Sequence, residues 1–464
     1  MRVIPTDAAL PSMASLFTGA GMPDFIADAV TDIAGPDLDP ARAKPAYVRY
    51  RPAESCSLLW RLPRRDGSSR LVRATLYAGG RGAALVASSR FRELAGRVRA
   101  VSGLGHVYRY LRRQGVLLQA FPLDEALPTL APAASAAWLR RALSEQLGVE
   151  AGEIQRIEAT PVSYKPGIRC VVRYDLELRD RTLTLYGKVF RDQRGKRMLA
   201  PLRELSRQLR AAAAPWDTPD ALGYLDEAQT LLLAGLAGST ELSALIKQAP
   251  HDRAQLGALR AHMQTAAAGL ACLQQLNVGG LAEVAPHSAL RWIESKLNGL
   301  QEIEPQLERT VRDLLEQLRR TAERMPPEAM VVNHGAFRYT QCVLGAAPGG
   351  PPRKMAVVDL DKLCLSGASA DAGEFLSRFD MAVLRDPQLE PVIGHCEQAF
   401  VAALSEHSAA HPQADQHSGW QNWYRAFGDI KWALYSFLSL APGWTRTSPC
   451  LLHNARDRLS SLGG

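Results

Sequence analysis

An apolar stretch, Met355 to Val358, runs into Asp359-Leu360-Asp361, and strand alternation predicts that the two carboxylates point to one side of the strand end. Paired hard oxygen ligands are what Mg²⁺ takes when substrate phosphates complete its shell. A second stretch, Leu185-Tyr186-Gly187-Lys188-Val189-Phe190, sets an ammonium inside an apolar strand. Only nine of the 55 basic residues are lysine, so a lysine inside an apolar strand is not an accident of composition. Upstream of the acidic pair lies Asn333-His334-Gly335-Ala336-Phe337-Arg338-Tyr339-Thr340-Gln341, a polar turn carrying a histidine and a carboxamide. Carboxylates, an ammonium and an amide oxygen together suit a metal-bound phosphate.

These groups need elements to hold them. Cys342 to Leu344 and Met355 to Val358, joined by a Gly/Pro-rich turn from Gly345 to Pro352, read as a hairpin. Lys188 belongs to a meander whose strands are Ile154 to Ala159, Arg169 to Leu178 and Arg181 to Phe190, rich in Val, Ile, Leu, Tyr and Thr. Turns at Tyr164-Lys165-Pro166-Gly167 and Arg179-Asp180 break it. Met198 to Arg210 follows as a helix, and Thr230 to Gly238 as a strand with a flexible end. Beyond residue 245 the pattern turns helical: Leu256, Leu259, Met263, Ala267, Leu270 and Leu273 recur at helical spacing, and Ala289 to Leu300 and Gln301 to Arg324 repeat it. Glu374 to Arg385, Leu389 to Leu404, Trp420 to Leu440 and Leu451 to Leu462 continue as helices.

Read together with Gly367-Ala368-Ser369-Ala370-Asp371-Ala372-Gly373-Glu374-Phe375-Leu376, the two acidic-loop segments resemble the aminoglycoside phosphotransferase and choline kinase-like family. Its pattern is roughly His-Gly-Asp-x-x-x-x-Asn, an apolar strand ending in Asp-x-Asp, then Gly-x-x-x-Asp-Leu-Ala. The resemblance implies an α+β, bilobal protein kinase-like fold. It makes His334 the structural histidine of the catalytic loop, Asp359 the principal Mg²⁺ ligand and Gln341 the stand-in for a metal-binding Asn. Lys188 becomes the phosphate-pairing lysine, with Glu204 its partner from the following helix. Backbone N–H groups near Ser163 and Gly167 would cradle phosphates, and Leu233 and Gly235 would belong to the segment that meets the nucleotide base. Ala336 falls where the family keeps its catalytic Asp, so the usual base is missing; Asp361 is a candidate replacement.

An internal repeat enlarges the expected architecture. Tyr50-Arg51-Pro52-Ala53 with Cys56 lines up with Tyr164-Lys165-Pro166-Gly167 with Cys170, Arg92-Glu93-Leu94 with Arg203-Glu204-Leu205, and Val116 to Phe121 with Leu231 to Leu236. The offset drifts only from about 111 to about 115 residues. The expectation is therefore a duplicated N-lobe-like domain, residues 1–131, ahead of a nucleotide-binding lobe, 132–245, and a helical lobe, 246–464, that frames the acceptor. In the first copy Thr75 takes the place of Lys188, so that copy is expected to bind no nucleotide and to serve packing or a protein partner.

Composition bounds the rest. With 464 residues and 47% hydrophobic content the chain can bury more than one core, and no apolar run reaches the roughly 18 residues of a membrane span. Seven dispersed cysteines without a Cys-x-x-Cys pair, and a start without a secretion signal, imply reduced thiols in a cytoplasmic protein. The net charge of +8 comes from arginine spread along the chain with no basic block, which argues against nucleic acid as the partner. The expected function is binding of ATP or GTP with Mg²⁺ and phosphorylation of a hydroxyl on a small molecule or peptide. The alternative is a pseudokinase, a binding or regulatory module for a partner enzyme.

Overall fold

A computed structural model describes residues 2–17, 21–35, 37–236, 239–251, 255–345, 354–408 and 414–462. Of the turn expected over Gly345 to Pro352, all but Gly345 lies outside the described residues, as do Ala237 and Gly238. Two compact units divide the chain: residues 1–199 with 221–235 and 438–442, and residues 200–220 with 236–437 and 443–464.

The first unit holds two five-stranded antiparallel sheets. Lys44–Arg51 (β1), Ser55–Pro63 (β2), Ser69–Tyr77 (β3), Tyr108–Leu111 (β4) and Val116–Ala120 (β5) lie in the order β1-β2-β3-β5-β4. Ile154–Lys165 (β6), Arg169–Leu178 (β7) and Thr182–Phe190 (β8) are followed across the second sheet by Thr230–Ala234 and then Ala221–Leu225, which is the same order. Each sheet has helix between its third and fourth strands, Arg81–Ala87 and Ser89–Ser102 in one and Arg194–Ala211 in the other. The register agrees too: Thr75 sits between Ser57 and Leu117, and Lys188 between Val171 and Leu231.

Local sequence accounts for these strands. In β7, Cys170, Val172, Tyr174, Leu176 and Leu178 are buried and the residues between them are more exposed, the period of a sheet with one covered face. β6 runs six residues past the expected Ala159 because a register shift between Pro161 and Ser163 lets the strand absorb its proline and continue. Leu59 and Leu71 from the first sheet share a core with Leu127, Leu130, Leu139, Leu143, Tyr174, Val189 and Leu232. Each such side chain contributes about 1.5–3 kcal/mol when fully buried, so residues 1–131 bury apolar surface against the second sheet.

The second unit is mostly helical. Gln255–Gln274 packs on Glu390–Ser408, and Pro305–Arg324 on Trp444–Ser461. Trp216 is fully buried against Gly269, where any Cβ would overlap the indole. Arg425 forks onto Asp380 at 2.7 and 2.6 Å and onto Glu397 at 2.5 and 3.0 Å, tying three helices by bidentate pairs. Two small sheets carry the loop residues: Ser239–Glu241, Cys342–Gly345, Met355–Val357 and Trp216–Asp217 form one, and Glu283–Val284, Cys364–Gly367 and Met330–Asn333 the other. Among the described residues no helix is long and apolar enough to cross a membrane.

Candidate functional site

The loop from Asn333 to Gln341 is clamped before any ligand is considered. Asn333 is fully buried and donates its amide to Ser366 O and Gly367 O at 3.1 and 3.0 Å, while its carbonyl accepts from Gln274 at 3.2 Å. Asp371, in the first turn of helix Ala370–Arg385, accepts the His334 N–H at 2.5 Å and the Phe337 N–H at 3.2 Å. Burial pushes the Asp371 carboxyl up to about 7 against the pull of those backbone donors. Gly335 has φ +73 and a Cβ there would lie 2.1 Å from Lys362 O, so only glycine lets the two backbone segments approach. Sequence alone assigns Asp371 no role; its signal there is a lone Asp four residues past Gly367.

His334 Nε2 lies 3.0 Å from Val358 O, and Val358 N–H donates to Gln341 O at 3.0 Å. The His334 ring and the Gln341 backbone are thus laced to the residue just before Asp359. Gln341 is buried, and neither its amide nitrogen nor its amide oxygen has a hydrogen-bond partner among the described residues. A buried carboxamide left this way is strongly disfavoured unless something polar meets it. It fits a metal-bound phosphate in both donor and acceptor character.

The strand-alternation reading of Asp359 and Asp361 is corrected. The strand ends at Val357, and Asp359 takes a left-handed φ of 72°, which breaks the period of two. Asp361 lies in the turn that follows, closed by Leu363 N–H on Leu360 O at 3.1 Å. A non-glycine residue held in this conformation stores strain of about 1–3 kcal/mol, a feature that clusters at ligand sites. Among the described residues no three His, Cys, Asp or Glu side chains form a metal site by themselves, so an ion on Asp359 and Gln341 needs phosphate or water oxygens as well.

Ala336 is buried and its carbonyl accepts from Arg338 Nε at 3.2 Å. Arg338, Arg378 and Lys431 stand 5.6, 4.6 and 5.1 Å from the Trp432 ring centre, with Glu374 paired to Lys431. Burial lowers Lys431 to about 8 despite that carboxylate.

Lys188, Ser163, Gly167, Leu233 and Gly235 lie in the first unit. Lys188 is 7% exposed on β8. Ser163 sits at the β6 bulge, and Gly167, φ +68, makes the β6–β7 turn. The Gly167 N–H donates to Asp124 Oδ2 at 2.7 Å, so that one donor of the turn is already engaged. Gly235 donates to Thr184 O at 2.9 Å, and a Cβ there would come within 2.3 Å of that oxygen. Glu204 is in the second unit; Arg207, at 2.9 and 2.6 Å, and Gln208, at 2.6 Å, engage its carboxylate on its own helix and hold it down at about 2.

Asp124 went unnoticed in sequence, although a signal existed. Asp124-x-Ala126-Leu127-Pro128-Thr129-Leu130-Ala131 repeats Asp7-x-Ala9-Leu10-Pro11-Ser12-Met13-Ala14. Asp7 accepts Tyr50 OH at 2.7 Å and Ala53 N–H at 2.9 Å; Asp124 accepts Tyr164 OH at 2.8 Å in addition to Gly167. The two clamps match atom for atom.

No protein-family model matches the chain, and no curated protein does either. Several solved structures are similar to parts of the chain. A choline/ethanolamine kinase family protein from Mesorhizobium loti has 12% identity over 70% of this chain and 97% of its own, with a TM-score of 0.44. Choline kinase from Streptococcus pneumoniae has 12% identity over 70% and 98%, with a TM-score of 0.41. The gentamicin complex of APH(2″)-IIa has 12% identity over 70% and 95%, with a TM-score of 0.41.

Proposed function

We propose that the chain is a kinase-like protein of the phosphotransferase type, which binds ATP or GTP with Mg²⁺ and passes phosphate to a hydroxyl of a small molecule or peptide. The observation that carries this reading is the Gln341 amide, buried with neither polar atom satisfied, on the loop that hydrogen-bonds to the residue before Asp359. Asp359 and Gln341 would hold the ion, which supplies charge neutralisation on the phosphates. Lys188 would pair with phosphate oxygens, and the repeated sheet of residues 44–120 would be a duplicated lobe that binds no nucleotide.

Phosphoryl transfer depends chiefly on positioning and charge, and general-base assistance contributes about 10²- to 10⁴-fold. With Ala336 in the loop, transfer proceeds without that assistance, or Asp361 supplies it. Ala336 also favours a second reading, a pseudokinase that holds nucleotide as a module for a partner enzyme.

Calorimetry with ATP, GTP and ADP, each with Mg²⁺ at millimolar concentration, tests the proposal. Binding that weakens in both Lys188→Met and Asp359→Asn is expected. Absence of heat and of thermal shift with every nucleotide overturns it. Ala336→Asp separates the two readings: nucleotide hydrolysis rising about 10²-fold fits an intact site lacking a base, and an inert variant that still binds nucleotide fits the module.

A further inference from the structure

The two Asp–Tyr clamps differ in an ion pair, Arg73 with Glu125, that only the second carries. Among the described residues Asp7 has no ion pair, whereas Asp124 Oδ1 lies 3.6 Å from Arg73 Nη1. Arg73 comes from β3 of the first sheet, 4% exposed, at the centre of a network of its own. Its Nε donates to Gln119 Oε1 at 3.1 Å from the facing strand, its Nη2 pairs with Glu125, and Gln119 donates to Glu125 at 2.9 Å. Tyr77 OH adds a bond to Glu125 at 3.3 Å. Arg73 points to the same side of β3 as Thr75, by the period of two. The face that bears Lys188 in the second sheet therefore bears, in the first, a buried arginine aimed at the second sheet's turn.

That turn is the one expected to meet phosphate. A buried carboxylate one hydrogen bond beneath it would repel an arriving anion across a medium of low dielectric, and would itself be strongly disfavoured without a cation. At Asp124 the cation is Arg73, which it shares with Glu125, while Asp7, under the matching turn, has no ion pair among the described residues. On the other side of the turn the first sheet also brings Arg49, whose Nη1 lies 4.0 Å from where a Cβ on Gly167 would stand. The Arg49 guanidinium has no hydrogen bond or ion pair among the described residues, and burial with Arg51 and Arg191 nearby lowers its pKa.

We infer that the first sheet is a brace for the nucleotide turn of the second: Arg73, bridging Asp124 and Glu125, fixes Asp124, which fastens Tyr164 and Gly167. This rests on the nucleotide reading proposed above and makes Arg73 a positioning residue, contributed by a lobe that itself holds no nucleotide.

The test uses the full chain. Hydrogen exchange of the Gly167 amide is followed without nucleotide, with the Ala53 amide as internal control, and the Kd for ATP–Mg²⁺ is measured by calorimetry. Arg73→Met is expected to speed exchange at Gly167 by about tenfold or more with Ala53 unchanged, and to weaken ATP–Mg²⁺ by about tenfold, in Kd rather than in any turnover rate. The charge-balanced pair Arg73→Gln with Asp124→Asn keeps a carbonyl for the Gly167 N–H and is expected to return Kd to within about threefold of wild type. Unchanged exchange and Kd in Arg73→Met overturn the inference, as does a folded double variant that binds as weakly as Arg73→Met. If Arg73→Met does not fold, the double variant decides alone: wild-type Kd and Gly167 exchange support the brace, and loss of either overturns it. If wild type binds no nucleotide, the functional proposal fails, and exchange at Gly167 still judges the brace.

Discussion

The two sheets of the first unit share strand order, helix placement and an Asp–Tyr turn clamp, and they differ in what their third strands present. β3 offers Arg73 and Thr75, the threonine hydroxyl satisfied by Ser57 at 2.9 Å and the arginine by Gln119 and Glu125. β8 offers Lys188. One sheet presents a hydroxyl and an arginine on this face; the other presents a buried lysine. A strand with threonine at the lysine's place is suited to support, and one that sets an ammonium on a buried face is suited to meet an anion. Substitutions placed at matching positions break or sharpen that contrast.

The largest effect belongs to the clamps. Asp124→Ala strips Tyr164 OH and the Gly167 N–H of their acceptor and leaves Arg73 facing only Glu125, for which about 3–5 kcal/mol of destabilisation is expected. Asp7→Ala removes the same two hydrogen bonds with no arginine involved, and about 2–3 kcal/mol is expected. Urea denaturation compares them; equal losses would mean that Arg73 adds nothing to the second clamp.

Next in size is the third-strand contrast. Lys188→Met should weaken ATP–Mg²⁺ by about 10- to 100-fold, or about 1.4–2.7 kcal/mol. Thr75→Val at the matching register should leave nucleotide affinity unchanged and lower stability by about 1 kcal/mol through the stranded Ser57 hydroxyl. Calorimetry reads the first and urea denaturation the second. A nucleotide effect from Thr75→Val would show that the first sheet is more than support.

Much of this contrast was legible in sequence, and the missing parts share a cause. Periodicity marked β7 at its observed ends and β8 to within a residue, because alternating burial is written into residue type. The Tyr-x-Pro repeat led to the register that pairs Thr75 with Lys188. The left-handed Asp359 was not legible, since nothing in Val358-Asp359-Leu360 forbids a continuing strand; the backbone leaves the sheet through tertiary hydrogen bonds to Gln341 and His334. Arg73 was passed over although it gives the same signal as Lys188, a cation within an apolar strand. What distinguishes the two is which partners reach them: Gln119 and Glu125 are far from Arg73 in sequence and adjacent only once the strands pair.

The buried network of the first sheet also predicts an acid response. Burial alone would raise the Glu125 carboxyl, but the Arg73 charge and the Gln119 hydrogen bond outweigh it and leave the pKa below the ordinary 4.5. A depressed folded pKa stabilises the protein above the unfolded value, and that stability is lost as pH falls below about 4.5 through the folded pKa. Glu125→Gln should therefore lower the urea midpoint at pH 7 and narrow the drop between pH 7 and pH 3.5, an effect of about 1–2 kcal/mol at neutral pH. An unchanged pH profile would assign the acid response to other carboxylates.

The smallest expected effect tests the turns themselves. Ala53 and Gly167 hold matching positions with φ of 57° and 68°, and each donates its N–H to the clamp aspartate. An L-residue in the left-handed region is disfavoured by about 1 kcal/mol, and glycine returns part of that through greater freedom in the unfolded chain. Ala53→Gly should then stabilise by no more than about 0.5 kcal/mol. Gly167→Ala meets only Ala126 Cβ at 3.7 Å and the Arg49 guanidinium at 4.0 Å, both ordinary contacts, so its loss is conformational, about 1 kcal/mol. Thermal denaturation of the two variants reads the difference, and nucleotide affinity gives it meaning. Because the Gly167 N–H faces Asp124 and not the solvent, Gly167→Ala should leave the Kd for ATP–Mg²⁺ within about threefold of wild type if the clamp holds the turn. A tenfold loss of affinity with only that small loss of stability would mean that phosphate approaches the Gly167 backbone closely enough to meet the new methyl group, and that the turn acts by contact as well as by position.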